Sequence, residues 1–172
     1  MIRHYKDKIH LLSDIIKNRE NIKNEQEQTI LITGCFDILH PGHIGMFQEA
    51  KELGGKVFVG IKSNDAIHIS EKGITGRPFN DENERALVVS GIESVDYVFV
   101  YDDSLSLIEE MKPTIVVKGP DHNETVQGKK EKERVESLGG KFLTLGPTKT
   151  SGTTGIIQKI IAFEDNNNKK VK

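Results

Sequence analysis

Thr33-Gly34-Cys35-Phe36-Asp37-Ile38-Leu39-His40-Pro41-Gly42-His43 is the stretch on which the reading of this chain turns. Before it, Thr29–Thr33 is a short run of Thr, Ile and Leu that predicts a strand, and after it Gly42–Leu53 reads as a helix. The stretch is therefore a strand-to-helix turn. In an open α/β sheet, ligands bind outside the carboxyl ends of the strands. A helix N-terminus there offers phosphate its free N–H groups and the positive end of its dipole. With Pro41 and Gly42 between them, His40 in the turn and His43 in the first helical turn can converge on one oxyanion. Gly42 leaves room for that approach. Paired imidazoles donate hydrogen bonds to α- and β-phosphates, more strongly if protonated near neutral pH. Phosphoryl-type transfers need this service, because charge on the phosphate oxygens must be stabilised as the transition state forms.

Working outward, short β-rich runs alternate with helical segments, the pattern of βαβ units around a parallel sheet. Further strands are expected at Lys56–Ile61, Tyr97–Val100, Thr114–Val117 and Lys141–Leu145. Further helices are expected at Asp81–Gly91, Ser104–Met111, Lys129–Leu138 and Thr153–Phe163. The fold class is α/β, a Rossmann-like, doubly wound sheet of five parallel strands in the order 3-2-1-4-5, with the ligand across the switch point. Ile2, Tyr5, Ile9, Leu12, Ile15 and Ile16 have roughly helical spacing, so residues 1–28 read as an amphipathic helix plus a polar linker from Asn21 to Gln28. Its apolar stripe is expected to cover the sheet domain. Residues 29–163 form the main domain, and 164–172, poor in apolar residues, read as a flexible tail.

With 172 residues the chain fits one domain of usual size. A balance of 24 Lys and Arg against 26 Asp and Glu leaves a charge of −2 and no broad basic face, so nucleic acid is not an expected partner. No apolar run is long enough to span a bilayer and no leader is apparent, so no membrane partner and a cytoplasmic location are expected. Cys35 is the single cysteine, which excludes an internal disulfide and a cysteine-rich zinc site.

Gly34-Cys35-Phe36-Asp37 followed by His40-Pro41-Gly42-His43 resembles the signature of the cytidylyltransferase-like nucleotidyltransferase superfamily. From Thr29 to about Ile161 the chain is similar to heptose 1-phosphate adenylyltransferase domains and, more distantly, to glycerol-3-phosphate cytidylyltransferases. Lys72-Gly73 with Arg77-Pro78, Glu84-Arg85 leading to Val95-Asp96, Val117-Lys118-Gly119 with Asp121, and Gly152-Thr153-Thr154 support it. The resemblance implies transfer of a nucleoside monophosphate from a nucleoside triphosphate to a phosphorylated sugar, with release of pyrophosphate. ATP and heptose 1-phosphate are the first expectation; CTP with glycerol 3-phosphate or a similar alcohol is the alternative. A module that binds nucleotide without turnover is the alternative of another class.

The resemblance also implies roles. His40, His43 and Lys72 are the expected catalytic residues. Thr33, Gly34, Cys35, Phe36, Asp37, Gly42, Lys118, Gly119, Asp121, Gly152, Thr153 and Thr154 are expected at the nucleotide, and Asp37, Lys72 and Arg85 at the acceptor. Asp37 would hold either the turn or the acceptor. Mg²⁺ is expected with the triphosphate, held by phosphate oxygens and water, with no protein-held metal. A homodimer is a further expectation, since the family is often dimeric.

Three positions depart from the family pattern. Gly152 stands where Ser is usual, Pro120-Asp121-His122 replaces a run ending in an aromatic residue, and Lys149 stands where cytidylyltransferases tend to have Arg. His122 can still stack on a base or sugar. Read without the resemblance, Cys35 is a small buried filler. Lys129, Lys130 and Lys132, interspersed with Glu131 and Glu133, read as a solvated helix face. His4, His10 and His68 have no motif context.

Overall fold

The computed structural model describes residues 4–22, 28–70, 76–122, 124–147 and 152–170. Lys72, Lys149 and Ser151, the middle of the Asn21–Gln28 linker and the last two residues lie outside that set. Five parallel strands, β1 (Gln28–Gly34), β2 (Gly55–Lys62), β3 (Tyr97–Tyr101), β4 (Ile115–Lys118) and β5 (Lys141–Thr144), form one sheet in the order β3-β2-β1-β4-β5. The expected topology is the observed one, and each strand lies within a residue or two of its predicted bounds.

Alternation along the strands divides the core in two. Ile30, Ile32, Val57, Val59 and Ile61 face one side, packed with Met46, Phe47 and Ala50 of α2 (Pro41–Glu52) and with Ala86 and Val89 of α4 (Glu82–Ser90). Leu31, Phe58 and Val116 face the other side. There they meet Leu107, Ile108 and Met111 of α5 (Ser104–Met111), Val135 of α6 (Val126–Ser137) and Ile15 of α1 (Leu12–Ile22). Such near-continuous apolar runs suit strands covered on both faces. Side-chain oxygens of Asp81, Asp103 and Thr125 accept from first-turn N–H groups and fix the starts of α4, α5 and α6.

The structure corrects the element reading in four places. The N-terminal segment is not one helix: a 3₁₀ turn at Tyr5–Lys8 leads into an extended Ile9–His10, and only then does α1 begin. His10 N–H donates to the Val98 carbonyl at 2.9 Å and Ile9 bridges Val98, which covers part of the exposed edge of β3. The apolar stripe nonetheless meets the sheet domain through Ile15, as expected. Secondly, a seven-residue helix, α3 (Asn64–Ser70), follows β2 where none was predicted, its start supported by Ser63 Oγ accepting from Ala66 N–H at 3.2 Å. Thirdly, a 3₁₀ turn occupies Pro120–His122. Fourthly, α7 (Gly152–Lys170) continues through Glu164–Lys170, where a loose tail was expected.

Candidate active site

At the carboxyl end of β1 the chain turns sharply, and the geometry of that turn aims the histidine pair. Phe36 adopts φ 53°, a left-handed conformation uncommon for a bulky residue. Its ring lies across Gly34, where an added Cβ would come within 2.9 Å of the Phe36 Cζ atom, so a larger residue there would force the ring to shift. Arg85, 1% exposed, holds the turn from α4. Its Nη1 donates to the Cys35 carbonyl at 2.6 Å, its Nη2 to Asn64 Oδ1 at 2.7 Å and its Nε to the Asn80 carbonyl at 3.0 Å. Of the two roles open for Asp37, the structure displays the holding one. Asp37 Oδ1 accepts from Phe79 and Asn80 N–H at 3.0 Å each, and Oδ2 accepts from Phe79 N–H at 3.1 Å. Arg77 Nε lies 3.6 Å from Asp37 Oδ2, an ion pair rather than a hydrogen bond.

His40 is the N-cap of α2 and Pro41 its first residue, where a missing N–H costs nothing. The two imidazoles stack with centroids 3.8 Å apart and planes at 27°, and Phe36 meets His43 edge-on at 5.1 Å. Burial lowers the pKa of His40 from its ordinary value. Burial, and then the neighbouring His40, hold His43 down at about 4. Both shifts favour the neutral rings at pH 7 in the unliganded protein, so the protonation that would strengthen their hydrogen bonds is not favoured there. Each neutral ring still has one N–H to donate. Neither Nδ1 has a hydrogen-bond partner among the described residues.

The pair opens into a cavity of about 530 Å³. Its walls bring together His40 and His43 with Thr33, Gly34, Cys35, Phe36, Asp37, Gly42, Lys118, Gly119, Asp121, Gly152, Thr153 and Thr154, every residue expected at the nucleotide. Arg77 and His122 also line it. The start of α7 is fastened to the α2 turn by Thr153 Oγ1, which donates to the Ile38 carbonyl at 3.3 Å. Two helix N-termini thus border one cavity. The departure at Gly152 has a physical reason: its φ of 57° lies in the left-handed region, where serine would be strained.

Three expectations need revision. Arg85 lines neither this cavity nor its neighbour, and its guanidinium is engaged by protein acceptors. Cys35 is half-buried and lines both cavities, so it is not a core filler. Glu131 is 1% exposed, whereas Lys129, Lys130, Lys132 and Glu133 on the same helix are exposed as expected.

The neighbouring cavity, about 730 Å³, shares Thr33, Gly34, Cys35, Lys118 and His122 with the first. Its own walls add Lys62, Tyr101, Asp102, Ser104, Gln127 and Glu131, from the ends of β2 and β3 and from α5 and α6. Sequence reasoning assigned none of these to a site. The one available signal was position, since Lys62 and Tyr101 directly follow the predicted strands Lys56–Ile61 and Tyr97–Val100 at the end where ligands bind. His122 Nε2 lies 2.9 Å from Glu131 Oε2, so its ring is held by a carboxylate rather than left to stack freely.

A cytidylyltransferase-like family model matches residues 31–159. The bifunctional protein HldE of Syntrophotalea carbinolica is 37% identical over 164 residues, covering 91% of this chain and 32% of its own length. HldE of Pseudomonas aeruginosa is 35% identical over 152 residues, covering 87% and 31%. The chain therefore spans about a third of the length of these relatives. Among solved structures, a lipopolysaccharide core biosynthesis protein from Thermoplasma volcanium superposes with a TM-score of 0.58 at 27% identity, over 70% of this chain and 97% of that one. A pantoate-beta-alanine ligase from Francisella tularensis shares the fold, with a TM-score of 0.56 at 14% identity over 83% and 67%. With the histidine pair at a helix start beside the switch point and a family match across most of the sheet domain, the chain belongs to the cytidylyltransferase-like family of nucleotidyltransferases.

Proposed function

We propose that this protein transfers adenylate from ATP to heptose 1-phosphate, releasing pyrophosphate and giving ADP-heptose. The observation that carries the reading is the convergence of two helix starts, α2 with its histidine pair and α7 with Thr153 and Thr154, on one cavity. Similarity to the HldE proteins and to the Thermoplasma lipopolysaccharide core protein supports a sugar-phosphate acceptor over a phosphorylated alcohol.

In this reading the triphosphate occupies the first cavity and the acceptor the second, with Lys118 and His122 on the wall between them. An oxygen of the acceptor phosphate attacks the α-phosphorus. A new P–O bond forms there as the bond from the α-phosphorus to the bridging oxygen breaks, and pyrophosphate leaves with that electron pair. His40 and His43 donate neutral N–H groups to the phosphate oxygens as charge moves onto them. Lys72 is assigned by resemblance to the same phosphates. The triphosphate is taken as its Mg²⁺ complex. Asp37 offers the metal little, because its oxygens already accept backbone N–H groups, and among the described residues no group of three His, Cys, Asp or Glu side chains could hold a metal. Phosphate oxygens and water would carry the ion.

Pyrophosphate release by purified protein with Mg²⁺ tests the reading, with ATP and CTP each offered heptose 1-phosphate, glycerol 3-phosphate and several hexose 1-phosphates. Release that requires ATP and heptose 1-phosphate is expected. Release only from CTP with glycerol 3-phosphate, or nucleotide binding without release across the panel, overturns it.

A further inference from the structure

Glu131 is a buried carboxylate on a helix whose neighbouring charges are solvated. Its lone pairs are taken up by groups from three other elements. Oε2 accepts from Lys118 Nζ at 2.8 Å and lies 2.9 Å from His122 Nε2, while Oε1 accepts from Ser104 Oγ at 2.5 Å and, more weakly, from Gln127 Nε2 at 3.5 Å. Lys118 in turn donates to Thr33 Oγ1 at 2.5 Å, at the end of β1. The ion pair is nearly fully buried, at 6% and 1% side-chain exposure. For stability alone, an apolar pair of similar volume would serve α6 at least as well, because both charges must be stripped of water. What the pair adds is location. Lys118 and His122 both sit on the wall shared by the two cavities. The helix is also set tightly against His122: a Cβ on Gly128, one turn before Glu131, would come within 2.1 Å of the His122 carbonyl oxygen.

We propose that Glu131 is a positioning residue of the transfer site, holding the Lys118 ammonium and the His122 ring at the wall between the nucleotide and acceptor cavities. This rests on the transferase reading of those cavities. Glu131 touches no reacting atom; it acts through Lys118, keeping a positive charge beside the group in transfer.

The electrostatics agree with the geometry. Burial is the dominant effect and leaves the Lys118 pKa below its ordinary value, while the charge and hydrogen bond of Glu131 oppose it and push the pKa part of the way back up. Burial alone would raise the Glu131 pKa, but hydrogen bonds from His122, Lys118 and Ser104 and the Lys118 charge outweigh it and hold the carboxyl at about 2. The other titratable groups facing the pair are His122 from the 3₁₀ turn, Lys62 from β2, Tyr101 from β3 and Asp103 ahead of α5. Lys62 lowers the Lys118 pKa further. Glu131→Gln keeps the size of the side chain and removes the support, so Lys118 should lose its proton at lower pH than in the natural protein.

Kinetics of the natural enzyme, Glu131→Gln, Lys118→Met and the double variant test this across pH, using the triphosphate and acceptor that the natural enzyme turns over. Glu131→Gln should lower kcat by on the order of 10-fold to 10²-fold at alkaline pH, as misplacement of a site group does. The KM for triphosphate should change less than kcat, activity should recover as pH falls, and the alkaline limb should move to lower pH. In the Lys118→Met background the same change should cost little, because no ammonium remains to hold. The double variant, which buries no lone charge, also guards against a folding failure of the single one. An unmoved alkaline limb, or an equal cost in both backgrounds, overturns the proposal. If the natural protein turns over nothing on the panel, the transferase reading has failed separately. Side-chain ¹⁵N resonances of Lys118 then still decide the holding role, and an ammonium that titrates identically in the natural protein and Glu131→Gln overturns it.

Discussion

His43 joins an energetic liability to the chemical use proposed for it. Its ring is stacked on His40, flanked by the Phe36 edge and neutral through the physiological range. In the proposed transfer, replacing it with Ala would remove a donor to the developing charge and should lower kcat on the order of 10² to 10³, as loss of one oxyanion donor does, read by pyrophosphate release. The same burial has a thermodynamic consequence with a definite sign. The His43 pKa is about 4 in the folded protein against 6.5 ordinarily, so the unfolded chain binds the extra proton between those values. Its contribution is fully present above pH 6.5 and is lost as pH falls through about 4, a loss on the order of 3 kcal/mol at most. Denaturant midpoints across that window should fall for the natural protein and fall less for His43→Ala. Arg85 differs in kind. With three donor nitrogens on protein acceptors and 1% exposure, Arg85→Met should cost on the order of 3 kcal/mol of stability, seen in urea unfolding. Any KM change should follow from the loosened turn.

At the scale of elements, the site is assembled where strand ends meet helix starts. α2 brings the histidines, α4 supplies the clasp that holds their turn, and α6 reaches over to β4 through Glu131 and Lys118. The approach of α6 to the 3₁₀ turn is close enough that Gly128→Ala must move one of them, since the added carbon would lie 2.1 Å from backbone oxygen. The expected cost is about 1 to 3 kcal/mol, in the range of overpacking, with triphosphate affinity reduced because His122 and Gly119 line the first cavity. Calorimetric titration with Mg·ATP, alongside thermal melts, measures both. The missed α3 is instructive at this scale. Seven residues are too few for helical periodicity to register, and its start rests on Ser63, whose Oγ also donates to Asp102 Oδ1 at 2.5 Å from beyond β3. The extended Ile9–His10 was hidden for a similar reason: it forms because the edge of β3 accepts a bond from His10, a partner 88 residues away.

For the molecule as a whole, binding across the switch point ties the two halves of the sheet and the start of α7 together. Mg·ATP at about 100 times its Kd should therefore stabilise the fold by about 2.7 kcal/mol, a rise of several degrees in Tm, with CTP giving less. Equal shifts for both triphosphates would count against ATP preference. The strands themselves were legible in the chain from local apolar runs, and the part of the first cavity that Thr33–His43 supplies was legible from one contiguous turn. Lys118, Gly119, Asp121, Gly152, Thr153 and Thr154 were placed at the nucleotide by the family resemblance, and the strand order by the fold class. The protonation of the histidines was not, because it depends on how much water the surrounding side chains exclude. Nor were the roles of Arg85 and Glu131. In the sequence each is one charge among others on a polar helix face, and burial with complete pairing arises only when residues 35, 64 and 80, or 104, 118 and 122, are brought to one point. Local pattern determined which elements form and in what order. Tertiary packing decided which charges lose their water, and with it which residues hold the site and which face the ligand.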